Sequence, residues 1–309
     1  MRLYIAGING MVGSAIAEEA KKQGNEVLGK SSKELDLTNR EAVFAEMKSV
    51  KPDALVIAAA KVGGIGANST FPVDFLSVNL QIQTNLLDAA HAADIDRVLF
   101  LGSSCIYPKF APQPIPESAL LTGELEPTNE PYAIAKIAGL KLVEAYRKQY
   151  GHKWISAMPT NLYGPRDNFD LESAHVLPAL IHRFHNAKVN DLAEVAIWGD
   201  GTPLREFLHV EDLASACLML LEEYDGSVAV NVGSGEEVTI LELAKSISKV
   251  VGYEGKISFD SAKPNGTPRK LISTKKLNNL GWNSRIDLKS GLASTYDWFI
   301  NNDAKGNTK

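Results

Sequence analysis

Cysteine is scarce in this chain. Cys105 and Cys217 are the only two among 309 residues. That is too few for a disulfide framework, and no Cys-x-x-Cys or paired Cys/His spacing suggests structural zinc, so no metal is expected. A reducing cytoplasmic compartment fits such usage. Long apolar runs are missing too: Met1 to Ala6 ends at Gly7, too soon for a signal peptide, and no run reaches the ~18 residues of a membrane span. Nor is there an excess of basic residues. With 32 Lys and Arg against 37 Asp and Glu, the net charge is -5, without the basic face that nucleic acid demands. Repeats and low-complexity tracts are absent, although the polar Asn301 to Lys309 reads as a frayed tail.

What is present is an ordinary folded composition, 45% apolar and 22% charged, long enough for about two domains at roughly 150 residues each. Short apolar runs alternate with helical patterns: RLYIAG, MVGSAIAEEAKKQ, NEVLG, a helix near Asn39 to Val50, DALVIAAA, a helix around Val73 to Ala93, RVLFLGSS, a helix from about Tyr132 to Tyr150, and KWISAMPT. Continuous apolar strands separated by helices predict an α/β fold, a Rossmann-like doubly wound parallel sheet covered on both faces. Residues 1–160 are assigned to this dinucleotide-binding domain. After Pro159 the loops lengthen, with short strands VAIW, REFLHV and VAVNVG and helices near Val210 to Glu222 and Ile240 to Val250. Residues 161–300 therefore read as a smaller C-terminal α/β substrate lobe, with some segments returning to the first. In such sheets ligands lie beyond the carboxyl ends of the strands, which puts the site between the lobes.

Gly7-Ile8-Asn9-Gly10-Met11-Val12-Gly13 follows the first strand and opens a helix. Absent side chains and a helix N-terminus suit a pyrophosphate, although the spacing is Gly-x-x-Gly-x-x-Gly rather than the standard Gly-x-Gly-x-x-Gly. About 20 residues on, where an NAD-binding chain places a carboxylate, stand Lys30, Ser31 and Ser32; a cation and hydroxyls favour the 2′-phosphate of NADP(H). Tyr132 and Lys136 lie four residues apart on one helix face, where an ammonium favours the phenolate. They follow the strand that ends at Ser103 and Ser104, so a hydroxyl can orient a carbonyl while the tyrosine protonates its oxygen.

Together these motifs resemble the extended short-chain dehydrogenase/reductases acting on nucleotide sugars. Within them KVGGI at Lys61, GSSCIYPK at Gly102, PYAIAKIAG at Pro131, PTNLYGP at Pro159, GTPLREFLHVED at Gly201 and KPNGTPRK at Lys263 are similar to the GDP-L-fucose synthase family. The resemblance implies conversion of GDP-4-keto-6-deoxy-D-mannose to GDP-L-fucose with NADPH, by epimerisation at C3 and C5 and reduction at C4. It implies catalytic roles for Ser103, Tyr132 and Lys136, with Cys105 as epimerisation base and His175 as acid. It further implies cofactor contacts from the Gly7 to Gly13 loop, Lys30, Leu101, Gly102, Ser103, Ser104, Lys136, Pro159, Thr160, Asn161, Leu162 and His175. Arg183, Trp198, Arg205, Asn265 and Lys270 would hold the GDP-sugar, with Arg269 beside Lys270 as a further cation. Two positions depart from the family: Asn9 stands where a basic residue is usual, and Asn265 replaces an acid.

Both protons lost in epimerisation flank one ketone, so one set of donors can stabilise either enolate. A thiol doing this work needs positive charge nearby. Cys217, in ASACLMLL, reads as core; His182 and His185 read as surface residues and His209 as packed between lobes. Two other readings fit the motifs: an NAD-retaining nucleotide-sugar 4-epimerase, and a cofactor-sensing binding protein without catalysis. The long helices after Val73 and Tyr132 favour a homodimer.

Overall fold

The computed structural model describes residues 1–263 and 265–304. Strands and helices alternate from the N-terminus: β1 (Arg2–Ala6), α1 (Met11–Lys22), β2 (Glu26–Leu28), α2 (Arg40–Val50), β3 (Ala54–Ile57), α3 (Ile65–Thr70), α4 (Asn79–Ala92), β4 (Arg97–Leu101), α5 (Glu130–Tyr150) and β5 (Ile155–Pro159). There follow β6 (Asn161–Tyr163), α6 (Val176–Val189), β7 (Glu194–Trp198), β8 (Leu204–His209), α7 (Val210–Glu223), β9 (Val230–Val232), β10 (Glu237–Thr239), α8 (Ile240–Val251), β11 (Lys256–Asp260), β12 (Arg269–Lys270), α9 (Lys275–Asn279) and α10 (Leu288–Asn302).

Among the described residues the main sheet has six strands in the order β2-β1-β3-β4-β5-β9, and every pairing in it is parallel. Apolar runs produce this arrangement because both faces are covered. Leu3 and Ile5 of β1 point into one core with Ile16 and Ala20 of α1 and Leu213 and Leu220 of α7. Tyr4 of β1 and Phe100 of β4 point into the other, with Met47 of α2, Leu87 of α4 and Val143 of α5. The path of the strands diverges on either side of β1, leaving a crevice above its carboxyl end.

A third core gathers Phe184 of α6, Ile197 of β7, Leu243 and Ile247 of α8 and Phe299 of α10, all later in the chain than β5. The chain crosses between these bodies. Drawn from the second half of the sequence, α7 packs in the core beneath α1, while β9 pairs with β5 at the edge of the main sheet.

The helix expected around Val73 to Ala93 is present, with a π-helical turn, Asp74–Val78, set into it just before α4. Two local expectations are corrected. The expected tail is helical at its start, since α10 runs through Asn301 and Asn302; its last five residues, 305–309, lie outside the described residues. His182 is buried rather than on the surface, because it lies on the inward side of α6 and its Nδ1 is 2.6 Å from the Phe169 carbonyl oxygen. Among the described residues no helix is long and apolar enough to cross a membrane.

Candidate active site

The cofactor end is built by glycine. Gly7 leaves β1 at φ +88°, a left-handed conformation that a side chain disfavours, and its carbonyl accepts from Gly10 N at 3.0 Å. A Cβ on Gly13 would collide with the Gly7 carbonyl, so the helix approaches the strand more closely than any other residue allows. Gly10 caps α1 without a side-chain hydrogen bond, and the first turn carries no acid. The amide end of α1 is thus open to an anion, and a dinucleotide fits the cradle. Lys30 is less available than its position in the sequence suggests. Its ammonium is ion-paired with Glu46, and the Ser31 hydroxyl donates to Glu34 at 2.6 Å, so both would have to be shared with a 2′-phosphate.

The ends of β4 and β5 lie side by side, with Gly102 N donating to the Ala157 carbonyl at 2.9 Å. Thr160 N bonds the Val232 carbonyl, and the Asn161 side chain donates to the Glu206 carbonyl at 2.7 Å. These bonds hold Pro159 to Leu162 over the same edge as Leu101 to Ser104. Beyond Gly102 the chain turns sharply: Ser103 caps a single 3-10 turn, Ser104–Ile106, and its hydroxyl accepts from Cys105 N at 3.2 Å. That turn puts Cys105 beside Ser103 rather than on the far face of a strand.

Tyr132 and Lys136 stand on the first turns of α5. Lys136 is buried and donates to the Leu101 carbonyl at 2.8 Å; burial pulls its ammonium down to about 8. Burial pushes the Tyr132 phenol up, the nearby Cys105 charge adds to this, and the Ser103 side chain opposes it. Ser103 thus stands near both the phenol and the sulfur.

Cys105 has the positive neighbour that a reactive thiol needs. Burial alone would raise its affinity for a proton, but Lys270, Ser103 and Arg205 outweigh it and the thiol lies below its ordinary value. Lys270 Nζ is 3.3 Å from Sγ. His175 caps α6 at an exposed position. Desolvation by its neighbours, with the charge of Lys270, holds the imidazole below its ordinary value, which eases release of a proton once it is protonated.

The outer end of the cleft is cationic and aromatic. Trp198, at the end of β7, is 43% exposed rather than core. Arg183 lies 5.5 Å and Lys263 5.3 Å from its ring centre. Asn265 accepts from Asp200 N at 3.0 Å, so its oxygen props the Gly199-Asp200 turn. Arg205 is partly buried, donates to the Leu204 carbonyl at 2.8 Å and faces the thiol from β8. Arg269 is already paired: its guanidinium is tied to Glu237 at 2.7 to 3.0 Å.

Several residues that local patterns do not single out line the cavity beside Cys105 and Lys270: Lys109, Gln113, Glu126, Asn129 and Thr267. Glu126 pairs with Lys109 at 3.0 Å and accepts from Thr267 at 3.2 Å, joining the loop after β4 to the loop before β12. Only the density of Pro and Gln between Lys109 and Pro116 marks this segment in the sequence, as an ordered non-helical loop.

Residues 3–233 match the NAD dependent epimerase/dehydratase family. Over 303 residues the chain is 59% identical to GDP-L-fucose synthase 1 of Arabidopsis thaliana, covering 97% of this chain and 94% of that one. It is 52% identical to the GDP-L-fucose synthase of Escherichia coli over 311 residues, covering 97% of each. A crystal structure of a GDP-L-fucose synthetase from Naegleria fowleri bound to NADP superposes with a TM-score of 0.89 at 27% identity, covering 97% of this chain and 94% of that one. The chain belongs to the NAD dependent epimerase/dehydratase family and, within it, to the GDP-L-fucose synthases.

Proposed function

We propose that this chain is an NADPH-dependent enzyme that converts GDP-4-keto-6-deoxy-D-mannose to GDP-L-fucose, epimerising C3 and C5 and then reducing C4. The observation that carries the reading is the grouping at the end of β4: Cys105, whose amide bonds the Ser103 hydroxyl at 3.2 Å, has the Lys270 ammonium 3.3 Å from its sulfur, and Lys136, one turn after Tyr132, is anchored on the neighbouring Leu101 carbonyl at 2.8 Å.

NADPH, when bound along Gly7 to Gly13 and the ends of β4 and β5, supplies the hydride. Ser103 holds the C4 oxygen. Cys105, as thiolate beside Lys270, removes the proton from C3 or C5, and the enolate is stabilised by the Ser103 hydroxyl. His175 returns a proton to the opposite face of the carbon. In the reduction Tyr132 gives its proton to O4; its raised affinity keeps it protonated until charge develops there. Lys136, close to its own titration range at about 8 and anchored on Leu101, stabilises the phenolate left behind. Arg183 and Trp198 hold the GDP, the guanidinium by charge and the indole by its face.

Incubation with NADPH and the keto sugar, followed by NMR, tests this reading. One NADPH is consumed per GDP-L-fucose formed. Turnover without net loss of NADPH would instead identify a 4-epimerase, and NADPH binding without turnover a binding protein.

The same reading includes a homodimer in the cytoplasm. It is supported by apolar side chains exposed at Phe71, Val73 and Ile134, next to α4 and on α5, and by two cysteines that are both free thiols. Sedimentation equilibrium reads the assembly: twice the chain mass is expected, and a chain of single mass contradicts the dimer.

A further inference from the structure

Lys270 activates Cys105 from a strand of two residues, which raises the question of what keeps it in place. On one side β12 pairs with β8, Lys270 opposite Arg205. A second grip comes from the loop after β4. There Ile115 N donates to the Leu271 carbonyl and Ser273 N to the Ile115 carbonyl, both at 2.8 Å. The residue before Ile115 is Pro114, which has no N–H to extend this ladder toward Lys270. Gln113 extends it with its side chain instead. Its Oε1 accepts from Leu271 N at 2.8 Å and its Nε2 donates to the Arg269 carbonyl at 3.2 Å. An amide carries the donor and the acceptor that a backbone unit would have offered.

We propose that Gln113 is a positioning residue for the Cys105 and Lys270 pair, gripping the backbone on both sides of Lys270 so that its ammonium stays against the sulfur. Gln113, Cys105 and Lys270 line one cavity. The charged and titratable groups that face the sulfur are Lys270 from β12, Arg205 from β8 and Tyr132 from α5, and none of them is held by Gln113 except Lys270. The catalytic consequence rests on the proposed role of Cys105 as base; the ionisation of the thiol does not.

The test is the pH dependence of Cys105 alkylation by iodoacetamide in the full chain with NADP⁺ bound, resolved by mass spectrometry. Both Gln113→Ala and the shape-conserving Gln113→Met are expected to raise the midpoint by about one pH unit, with about a tenfold slower reaction at neutral pH. If the alanine variant does not fold, the methionine variant decides. Lys270→Met raises the midpoint at least as far, and adding Gln113→Met to it produces no further shift, because Gln113 acts through Lys270. A Gln113→Met profile that coincides with that of the unaltered chain, or shifts that add in the double variant, overturns the proposal. A shifted midpoint with undiminished C3 and C5 proton exchange would leave the positioning intact and refute Cys105 as the base.

Discussion

Cys105 and Cys217 carry the same thiol into opposite surroundings. Cys217 lies in α7 with its whole surface covered by apolar neighbours, and burial pushes its thiol far up. Cys105 is also desolvated, yet Lys270 and Arg205 turn the balance and bring it down. Burial alone makes a cysteine inert; burial beside a fixed cation favours its thiolate. The contrast sorts the two residues without reference to any relative, and it divides the molecule into a region that holds the fold and a region that does chemistry.

The largest effect expected is at Cys105. Replacing it with alanine removes proton exchange at C3 and C5 by about 10²-fold or more, the scale of a lost general base. Cys217→Ala leaves exchange unchanged within about twofold, because a core thiol supports packing rather than chemistry. Exchange measured in deuterated water by NMR checks both. Next in size is the reactivity difference: at pH 8 iodoacetamide labels Cys105 and spares Cys217 in the folded chain, and in denaturant it labels both. Labelling of Cys217 first would reverse the contrast.

A smaller effect tests the outer cleft. Trp198→Ala loses the ring between Arg183 and Lys263, so KM for the GDP-sugar rises about twofold to fivefold with little change in kcat, on the scale of one exposed cation and ring contact. The smallest effect is on stability. Because the folded chain holds the Cys217 proton more tightly than the unfolded chain, its contribution is complete below the unfolded thiol value of about 8.5 and declines as pH rises above it. Denaturation between pH 8 and 10 should therefore show a fall of up to about 1.4 kcal/mol per pH unit that Cys217→Ala lacks.

The two regions also differ in how plainly they could be read in the sequence. The sheet was legible because continuous apolar runs such as DALVI and RVLFL have no other stable use than burial on both faces, and the glycine loop because strand, turn and helix follow one another locally. Tyr132 and Lys136 were legible for the same reason, being one helical turn apart. The activating contact was not: Lys270 and Cys105 are 165 residues apart, and no periodicity links them. Gln113 bonds Leu271 across 158 residues and is equally silent. The pairing of Lys30 and Arg269 was silent in the same way, since the carboxylates of Glu46 and Glu237 beside them become neighbours only in the folded chain. His182 looked like a surface residue because histidine is polar, although its place between Leu177, Ile181 and Phe184 puts it on the buried stripe of α6.

The most direct measurement of the division between sulfur and phenol uses Tyr132→Phe with the keto sugar and NADPH in deuterated water, followed by NMR. Deuterium at C3 and C5 with no GDP-L-fucose formed is the result expected when epimerisation runs from Cys105 and reduction from Tyr132. Loss of exchange in parallel with loss of reduction, matching Cys105→Ala step for step, would contradict it.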